Sequence, residues 1–341
     1  MLMTRLAMRA PAGLDGPAPA EYYAAALDMA EYLDGQRGTL GIQLPQHHAS
    51  LDGYLPSPLV LASAVAARTQ RIPILCMALL LLHHEPVKLA EDMAVLDLVS
   101  KGRVSYVLGL GYRAEERAMF GVAPTGLGAQ MEEAITILRA AWTGEEFTHP
   151  TRGPVRVRPL PHTPGGPVLS YGGHSPAAAR RAARFGMALF AETGDPELER
   201  VYTEEAARCG VTPAGCVLTD PAMPTAVFVA EDVERGWAEL GPYLLHDASA
   251  YAEWNAHRPN RSTITSLSGA TSVEELRQAG GAYRVVTPLQ AQEIIAGGVP
   301  LVLDPLCGGV PPELAWPYLR NAVAASGAAR AARAARRAAG V

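Results

Sequence analysis

Cysteine is scarce in this chain and dispersed along it. The 341 residues include four, Cys76, Cys209, Cys216 and Cys307, at spacings that match neither a metal-ligand set nor a secreted disulfide framework. Reduced thiols, as in a cytosolic setting, are the expectation. Charge is sparse as well. Charged residues make up 18% of the chain and the net charge is −5, which gives no general attraction to nucleic acid or to an anionic membrane. Arginines near the N-terminus are not followed by an apolar core and cleavage site, so no export signal is expected. The apolar run Ile74–Leu82 is far too short to cross a bilayer. No fixed-period repeat is visible, which excludes solenoids. A soluble cytoplasmic protein with neither nucleic acid nor membrane as partner is expected. A chain of this length buries roughly three quarters of its unfolded surface and needs no disulfide or metal staple.

What is present is an alternation of short apolar strands and helical patterns. The strand candidates are Arg5–Met8, Leu40–Gln43, Ile74–Leu82, Val104–Leu108, Val168–Tyr171, Met187–Phe190, Ala226–Val229 and Leu301–Leu303. A ninth short extended piece, Tyr283–Val286, ends at Thr287-Pro288 and reads either as a strand or as a lead into the next helix. Helical patterns cover Pro19–Gln36, Pro56–Thr69, Pro86–Ser100, Gln130–Thr143, Pro176–Phe185, Pro196–Cys209, Val233–His246 and Pro288–Ala296. Such alternation predicts an α/β fold, a (β/α)8 TIM barrel, over an open sheet. Residues 1–322 are expected to form one barrel domain, followed by an Ala/Arg-rich tail over 323–341. The last of that tail, Arg330–Val341, reads as a solvated helix or disordered end. Three long connections, Tyr112–Gly128, Phe147–Gly166 and the polar stretch Leu244–Glu275 with Tyr251, Trp254 and His257, are expected as loop insertions at the C-terminal face.

Residues 74–121 are the most informative. The apolar strand Ile74–Leu82 runs through His83-His84-Glu85 into a helix that Pro86 opens and Gly102 follows. A second strand, Val104–Leu108, breaks into Gly109-Leu110-Gly111. Strand, helix and strand make a parallel unit whose strand ends share one face, where such folds place their chemistry.

Chemistry-bearing residues stand at several of these ends. His47-His48 follow the strand Leu40–Gln43, and an imidazole there is a candidate acid or base. Adjacent histidines on an extended edge point apart and would not chelate one metal together. His83-His84-Glu85 lacks a third ligand at a known spacing, so no metal site is expected. Gly172-Gly173-His174-Ser175-Pro176 follows the strand Val168–Tyr171 and opens a helix, which makes an anion seat of free amides and a hydroxyl. Arg180, Arg181 and Arg184 on that helix would add positive potential. Gly109-Leu110-Gly111 completes only the G/A form of a dinucleotide fingerprint and no acidic residue follows at the right distance. Its glycines read instead as room for a flat ligand.

Together these residues resemble the luciferase-like monooxygenase family, which includes bacterial luciferase and deazaflavin-dependent dehydrogenases. The run from Pro86 through Ala90-Glu91-Asp92 and Leu96-Asp97 to Ser100-Lys101-Gly102-Arg103 carries the resemblance most specifically. Gly111-Tyr112 with Phe120-Gly121, the element Gly172 through Gly186, and Pro305-Leu306-Cys307-Gly308-Gly309 with Pro311-Pro312 support it. The likeness spans roughly Leu6 to Leu319 and is densest between Leu40 and Val122.

The resemblance implies a flavin-dependent monooxygenase that takes reduced FMN from a separate reductase and uses O2 on a small organic substrate, as a homodimer. It implies that His47 acts in the chemistry at the flavin. It implies that Met77-Ala78 form a strand bulge, often with a non-prolyl cis peptide, against the flavin ring, beside Gly109. It implies that Gly172, Gly173, His174 and Ser175 form the phosphate seat. Bacterial luciferase has Cys and Arg where Gly109 and Leu110 stand, and Glu where His174 stands, which argues against light emission. An F420-dependent hydride-transfer oxidoreductase is the alternative. A non-catalytic flavin-binding or partner subunit is the third reading.

Overall fold

Proline stands at the first position of seven helices among the described residues. A computed structural model describes residues 1–220, 223–256 and 267–338. In chain order the elements are β1 (Leu2–Arg5), α1 (Pro19–Asp34), β2 (Thr39–Leu44), α2 (Pro58–Arg68), β3 (Ile74–Leu80), α3 (Pro86–Ser100), β4 (Val104–Gly109), α4 (Ala114–Met119), α5 (Leu127–Ala141), β5 (Phe147–His149) and β6 (Gly153–Val155). There follow β7 (Leu169–Gly172), α6 (Pro176–Arg184), β8 (Ala188–Ala191), α7 (Pro196–Cys209), β9 (Cys216–Leu218), β10 (Ala226–Val229), α8 (Val233–Trp254), α9 (Val273–Ala279), β11 (Tyr283–Val286), α10 (Pro288–Ala296), β12 (Leu301–Leu303) and α11 (Pro312–Ala338). Strand–helix alternation with parallel pairing is that of the (β/α)8 class. The elements group into two units, one of residues 1–43, 50–55 and 220–341, the other of 44–49 and 56–219. No helix among the described residues is long and apolar enough to cross a membrane.

In the second unit β3, β4, β7, β8 and β9 lie side by side, all parallel. Helices α3 and α5 bury Leu89, Ala90, Met93 and Ala94, and Met131, Ala134, Ile135 and Leu138, at helical spacing. The Pro86–Arg103 run that looked most distinctive turns out to build this scaffold. Glu85 caps α3 by accepting from the amides of Val87 (3.1 Å) and Lys88 (2.8 Å). The fully buried carboxylate of Asp97 accepts from the Thr163 amide at 2.6 Å and so ties down the long 147–166 connection. Arg103 donates to Thr69 Oγ1 (2.9 Å) and to the carbonyls of Ala66 (2.8 Å) and Ile72 (3.1 Å), locking the start of β4 to the end of α2.

In the first unit β1 lies between β12 and β2, parallel to both. Here β10 and β11 form their own parallel pair, with Ala226 opposite Tyr283 and Val229 opposite Val286. Tyr283–Val286, the ninth extended piece of the sequence, is therefore a strand, and Ala226–Val229 pairs with it. Cys216–Leu218 is a further strand, outside the segments expected from sequence.

Other boundaries move for identifiable reasons. The expected strand Arg5–Met8 lies earlier, at Leu2–Arg5, because Met8 turns the chain with φ +64°. The strand Ile74–Leu82 ends at Leu80 and a short 3-10 turn covers Leu81–His83. The expected loop Leu244–Glu275 begins as helix: α8 runs on to Trp254, since Tyr243, Leu244, Asp247 and Ala248 continue its buried face. Helix α9 closes that stretch, and His257 lies outside the described residues. The connection Tyr112–Gly128 contains α4, and Phe147–Gly166 contains the antiparallel hairpin β5–β6. Helix α11 buries Ala315, Leu319, Ala322, Ala325, Ser326 and Ala329 along one stripe, while residues 331–336 are exposed. That stripe escaped the sequence reading because alanine gives little hydrophobic contrast.

Candidate active site

Residues 44–49 place His47 beyond β2, in the second unit. Gln46 orients the segment. Its Oε1 accepts the Leu80 amide at 2.8 Å, and its Nε2 lies 2.7 Å from His48 Nε2. An amide nitrogen only donates, so His48 Nε2 accepts and the His48 ring is neutral. Burial acts the same way, lowering the His48 pKa.

His47 is 8% exposed, and its Nδ1 lies 2.9 Å from Glu116 Oε1. The same oxygen accepts the His48 amide at 2.8 Å and Arg113 Nη1 at 3.0 Å. Burial alone would raise the Glu116 pKa. The bonds from His47 and the His48 amide, with the Arg113 charge, outweigh it and hold the carboxyl below its usual range. An ionised Glu116 accepts, so His47 Nδ1 donates. Glu116 Oε2 is buried and has no partner among the described residues. Tyr112 meets the His47 ring edge-on at 5.5 Å. The sequence reading missed Glu116 and Arg113. Their i, i+3 spacing just after Gly111-Tyr112 was the available signal.

Across the neighbouring strands, the Met77–Ala78 peptide is cis and the β3–β4 register shifts between Met77 and Leu79. A Cβ on Gly109 would lie 2.9 Å from that of Ala78. The two strand ends therefore approach closely, and only glycine allows it. Strand β7 ends at Gly172. A Cβ on Gly173 would lie 2.6 Å from that of Ala178, so the turn packs directly on the first turn of α6. The Gly173 amide is taken by the Phe190 carbonyl at 2.9 Å. Ser175 is the N-cap of α6, its Oγ accepting the Ala178 amide at 3.2 Å. Pro176 has no N–H, and the Ala177 amide has no partner among the described residues. Arg181 and Arg184 do not serve the helix start as free cations. Both pair with Glu132, at 2.8 and 2.9 Å.

The first unit holds a buried charge cluster that sequence spacing could not reveal. Arg5 Nε, at the end of β1, donates to Asp304 Oδ2, after β12, at 2.8 Å. Arg9, with no exposed surface, donates to Asp247 at 2.6 Å and to Asp52. Its guanidinium lies 4.6, 5.3 and 4.7 Å from the ring centres of Tyr54, Tyr251 and Trp254. The Tyr283 hydroxyl donates to Asp247 at 2.8 Å. Burial would raise the Asp247 pKa, but Arg9 and Arg5 bring it below normal. At Asp304 burial wins and pushes the pKa up to about 6. Tyr251 and Trp254, expected on a loop, instead stand on α8 against Arg9.

Known proteins share this arrangement of elements. Limonene 1,2-monooxygenase of Rhodococcus erythropolis is 32% identical over 125 residues, covering 37% of this chain and 32% of that one. F420-dependent glucose-6-phosphate dehydrogenase of Microbacterium testaceum is 32% identical over 160 residues, covering 45% and 46%. The chain spans about half the length, or less, of these curated relatives. The oxygenating constituent of 3,6-diketocamphane monooxygenase of Pseudomonas putida, a type II Baeyer–Villiger monooxygenase in complex with FMN, matches with a TM-score of 0.65. Its identity is 19%, over 90% of this chain and 93% of that one, and the likeness is one of fold. A model of the luciferase-like monooxygenases matches residues 4–291. Over five sixths of its length, then, this chain carries the pattern of one group of oxidoreductases: it belongs to the luciferase-like monooxygenase family.

Proposed function

We propose that this chain is a flavin-dependent monooxygenase that takes reduced FMN from a separate reductase and uses O2 to oxidise a small organic substrate. One observation carries the reading: His47 is held by an ionised buried carboxylate, in a unit that also carries a bulged strand end and a capped helix start. The residues present fit such a cofactor. Met77, Ala78 and Gly109 would bear on its ring, where the close approach of two strand ends leaves backbone rather than side chain as the surface. Gly172, Gly173, His174 and Ser175 would hold its phosphate with the uncommitted Ala177 amide. When bound, reduced flavin supplies the electron pair with which O2 is activated. The chain's own residues supply the rest. Glu116 fixes the His47 tautomer, Arg113 keeps Glu116 ionised, and Nε2 of His47 gives or takes the proton. A homodimer belongs to the same proposal, supported by the exposed apolar residues Val95, Leu98 and Val99 on α3 and Val60 on α2.

A second reading, hydride transfer with F420, is supported by the likeness to an F420-dependent dehydrogenase and uses the same His47. A non-catalytic flavin-binding subunit would have no use for the oriented imidazole. Titration of the purified protein with FMN, reduced FMN and F420 tests all three. Tight F420 binding without reduced FMN binding eliminates the monooxygenase, absence of turnover in the wild type with either cofactor eliminates both enzyme readings, and unchanged turnover in His47→Ala removes His47 from the chemistry.

A further inference from the structure

We infer that His83 is a substrate-binding residue whose ring holds the oxygen of a small uncharged ketone or alcohol. The inference rests on the oxidoreductase reading above and names its substrate class. His83 ends the 3-10 turn that follows β3, five residues beyond the cis peptide at Met77–Ala78. It is 8% exposed, and neither Nδ1 nor Nε2 has a hydrogen-bond partner among the described residues. Three of its polar neighbours are otherwise engaged. Gln46 is bonded at both ends, His48 Nε2 takes one of those bonds, and Arg117 donates to the Gly111 carbonyl at 2.7 Å. A buried polar ring with neither nitrogen matched calls for a partner that the described residues do not supply.

Packing holds the ring in its place. Phe120 stacks on it at 4.7 Å with the planes 10° apart. The His48 ring lies 5.3 Å away and meets Phe120 edge-on at 4.5 Å. Gly111, at the end of β4, adds no side chain: a Cβ there would stand 3.5 Å from His83 Nε2. Stacking occupies a ring face, and both nitrogens lie buried at the ring edge without a protein partner among the described residues.

The charge state selects the ligand. Burial, then the neighbouring His48 and His84, push the His83 pKa down to about 4, and burial also takes His84 to about 4. At neutral pH the ring therefore offers one N–H and one lone pair and no charge. The one nearby carboxylate, Glu116, already faces Arg113. A cationic substrate group would lose its hydration here without a free counter-charge, and the Arg117 guanidinium is held at the Gly111 carbonyl, whereas a carbonyl accepts the N–H and a hydroxyl meets either nitrogen. The rings of Phe120 and His48 suit a hydrocarbon body.

The test uses the full chain with cyclohexanone, cyclohexanol and methylenecyclohexane, the last lacking the oxygen. Imidazole 15N shifts of His83 in the wild type are expected to move with the two oxygenated probes and not with the hydrocarbon. In His83→Phe the ketone Kd should rise about three- to tenfold, the equivalent of one hydrogen bond, with partial recovery in His83→Gln and no change for methylenecyclohexane. The proposal is overturned if neither oxygenated probe moves the shifts, if the hydrocarbon binds as well as the ketone, or if His83→Phe leaves the ketone Kd unchanged. The wild-type shifts decide the matter even where a variant fails to fold. FMN and F420 titrations on the same samples report separately on the cofactor reading, which falls if neither binds.

Discussion

Glu116 reaches across 69 residues of sequence to His47 and bonds its Nδ1 at 2.9 Å. The pairing sets which imidazole nitrogen faces the chemistry. With Glu116→Gln the amide can present either its oxygen or its nitrogen, and the tautomer is no longer imposed. Turnover with supplied reduced FMN is expected to fall about 10- to 100-fold, while His47→Ala loses about 100- to 10,000-fold. FMN affinity should hold in Glu116→Gln. Full turnover in that variant would remove Glu116 from the mechanism.

Ser175 separates helix capping from anion binding. Ser175→Ala should cost about 0.5–2 kcal/mol through loss of the cap on Ala178. Ser175→Asp keeps an oxygen acceptor at the cap and should leave the melting temperature nearly unchanged. The added negative charge should nevertheless weaken FMN relative to riboflavin, which lacks the phosphate. Equal losses for both ligands would show that no phosphate rests there.

Asp247 and Arg9 are both fully buried. Asp247→Leu leaves the guanidinium without its 2.6 Å partner and frees the Tyr283 hydroxyl. Urea unfolding should report a loss of about 3–5 kcal/mol. A loss below about 1 kcal/mol would mean that Asp52 and the three rings suffice for Arg9.

Acid titration should show two opposed contributions. His83 and His84, lowered to about 4, bind fewer protons folded than unfolded between about pH 6.5 and 4, so stability falls as pH drops through that window. The contribution is of order 1–3 kcal/mol per ring. Asp304, raised to about 6, has the opposite sign: its term is fully present below about pH 4 and is lost as pH rises through 6. His83→Phe should therefore flatten the acid loss and Asp304→Asn should steepen it, as read by unfolding midpoints at each pH. Superimposable profiles for wild type and both variants would contradict these assignments.

Much of the framework could be read from the residue order. Pro86–Ser100, Pro196–Cys209, Pro288–Ala296, Ala226–Val229 and Leu301–Leu303 stand where periodicity and punctuation put them, because local propensity and burial agree there. The misreadings fall where tertiary contact overrules local pattern. Met8 turns the chain despite an apolar neighbourhood, and α8 outruns its expected end because Asp247 and Tyr251 serve Arg9. Glu116 stayed hidden because a carboxylate on a short solvent-like helix looks like an ordinary charged face until His47 and the His48 amide are brought to it.

Residue order alone determined the strand–helix alternation, the parallel connectivity, the positions of His47 and Gly172–Ser175 at strand ends and that of Met77-Ala78 within a strand. These follow from hydrophobic period and from proline and glycine geometry, which act over a few residues. Only the folded chain decided which of those side chains have partners: His47 bonded to Glu116, Arg9 caged by three rings, Arg181 and Arg184 drawn away to Glu132, His83 buried with both nitrogens unmatched. Protonation and hydrogen bonding depend on groups that meet across tens or hundreds of residues, and no local pattern encodes those meetings.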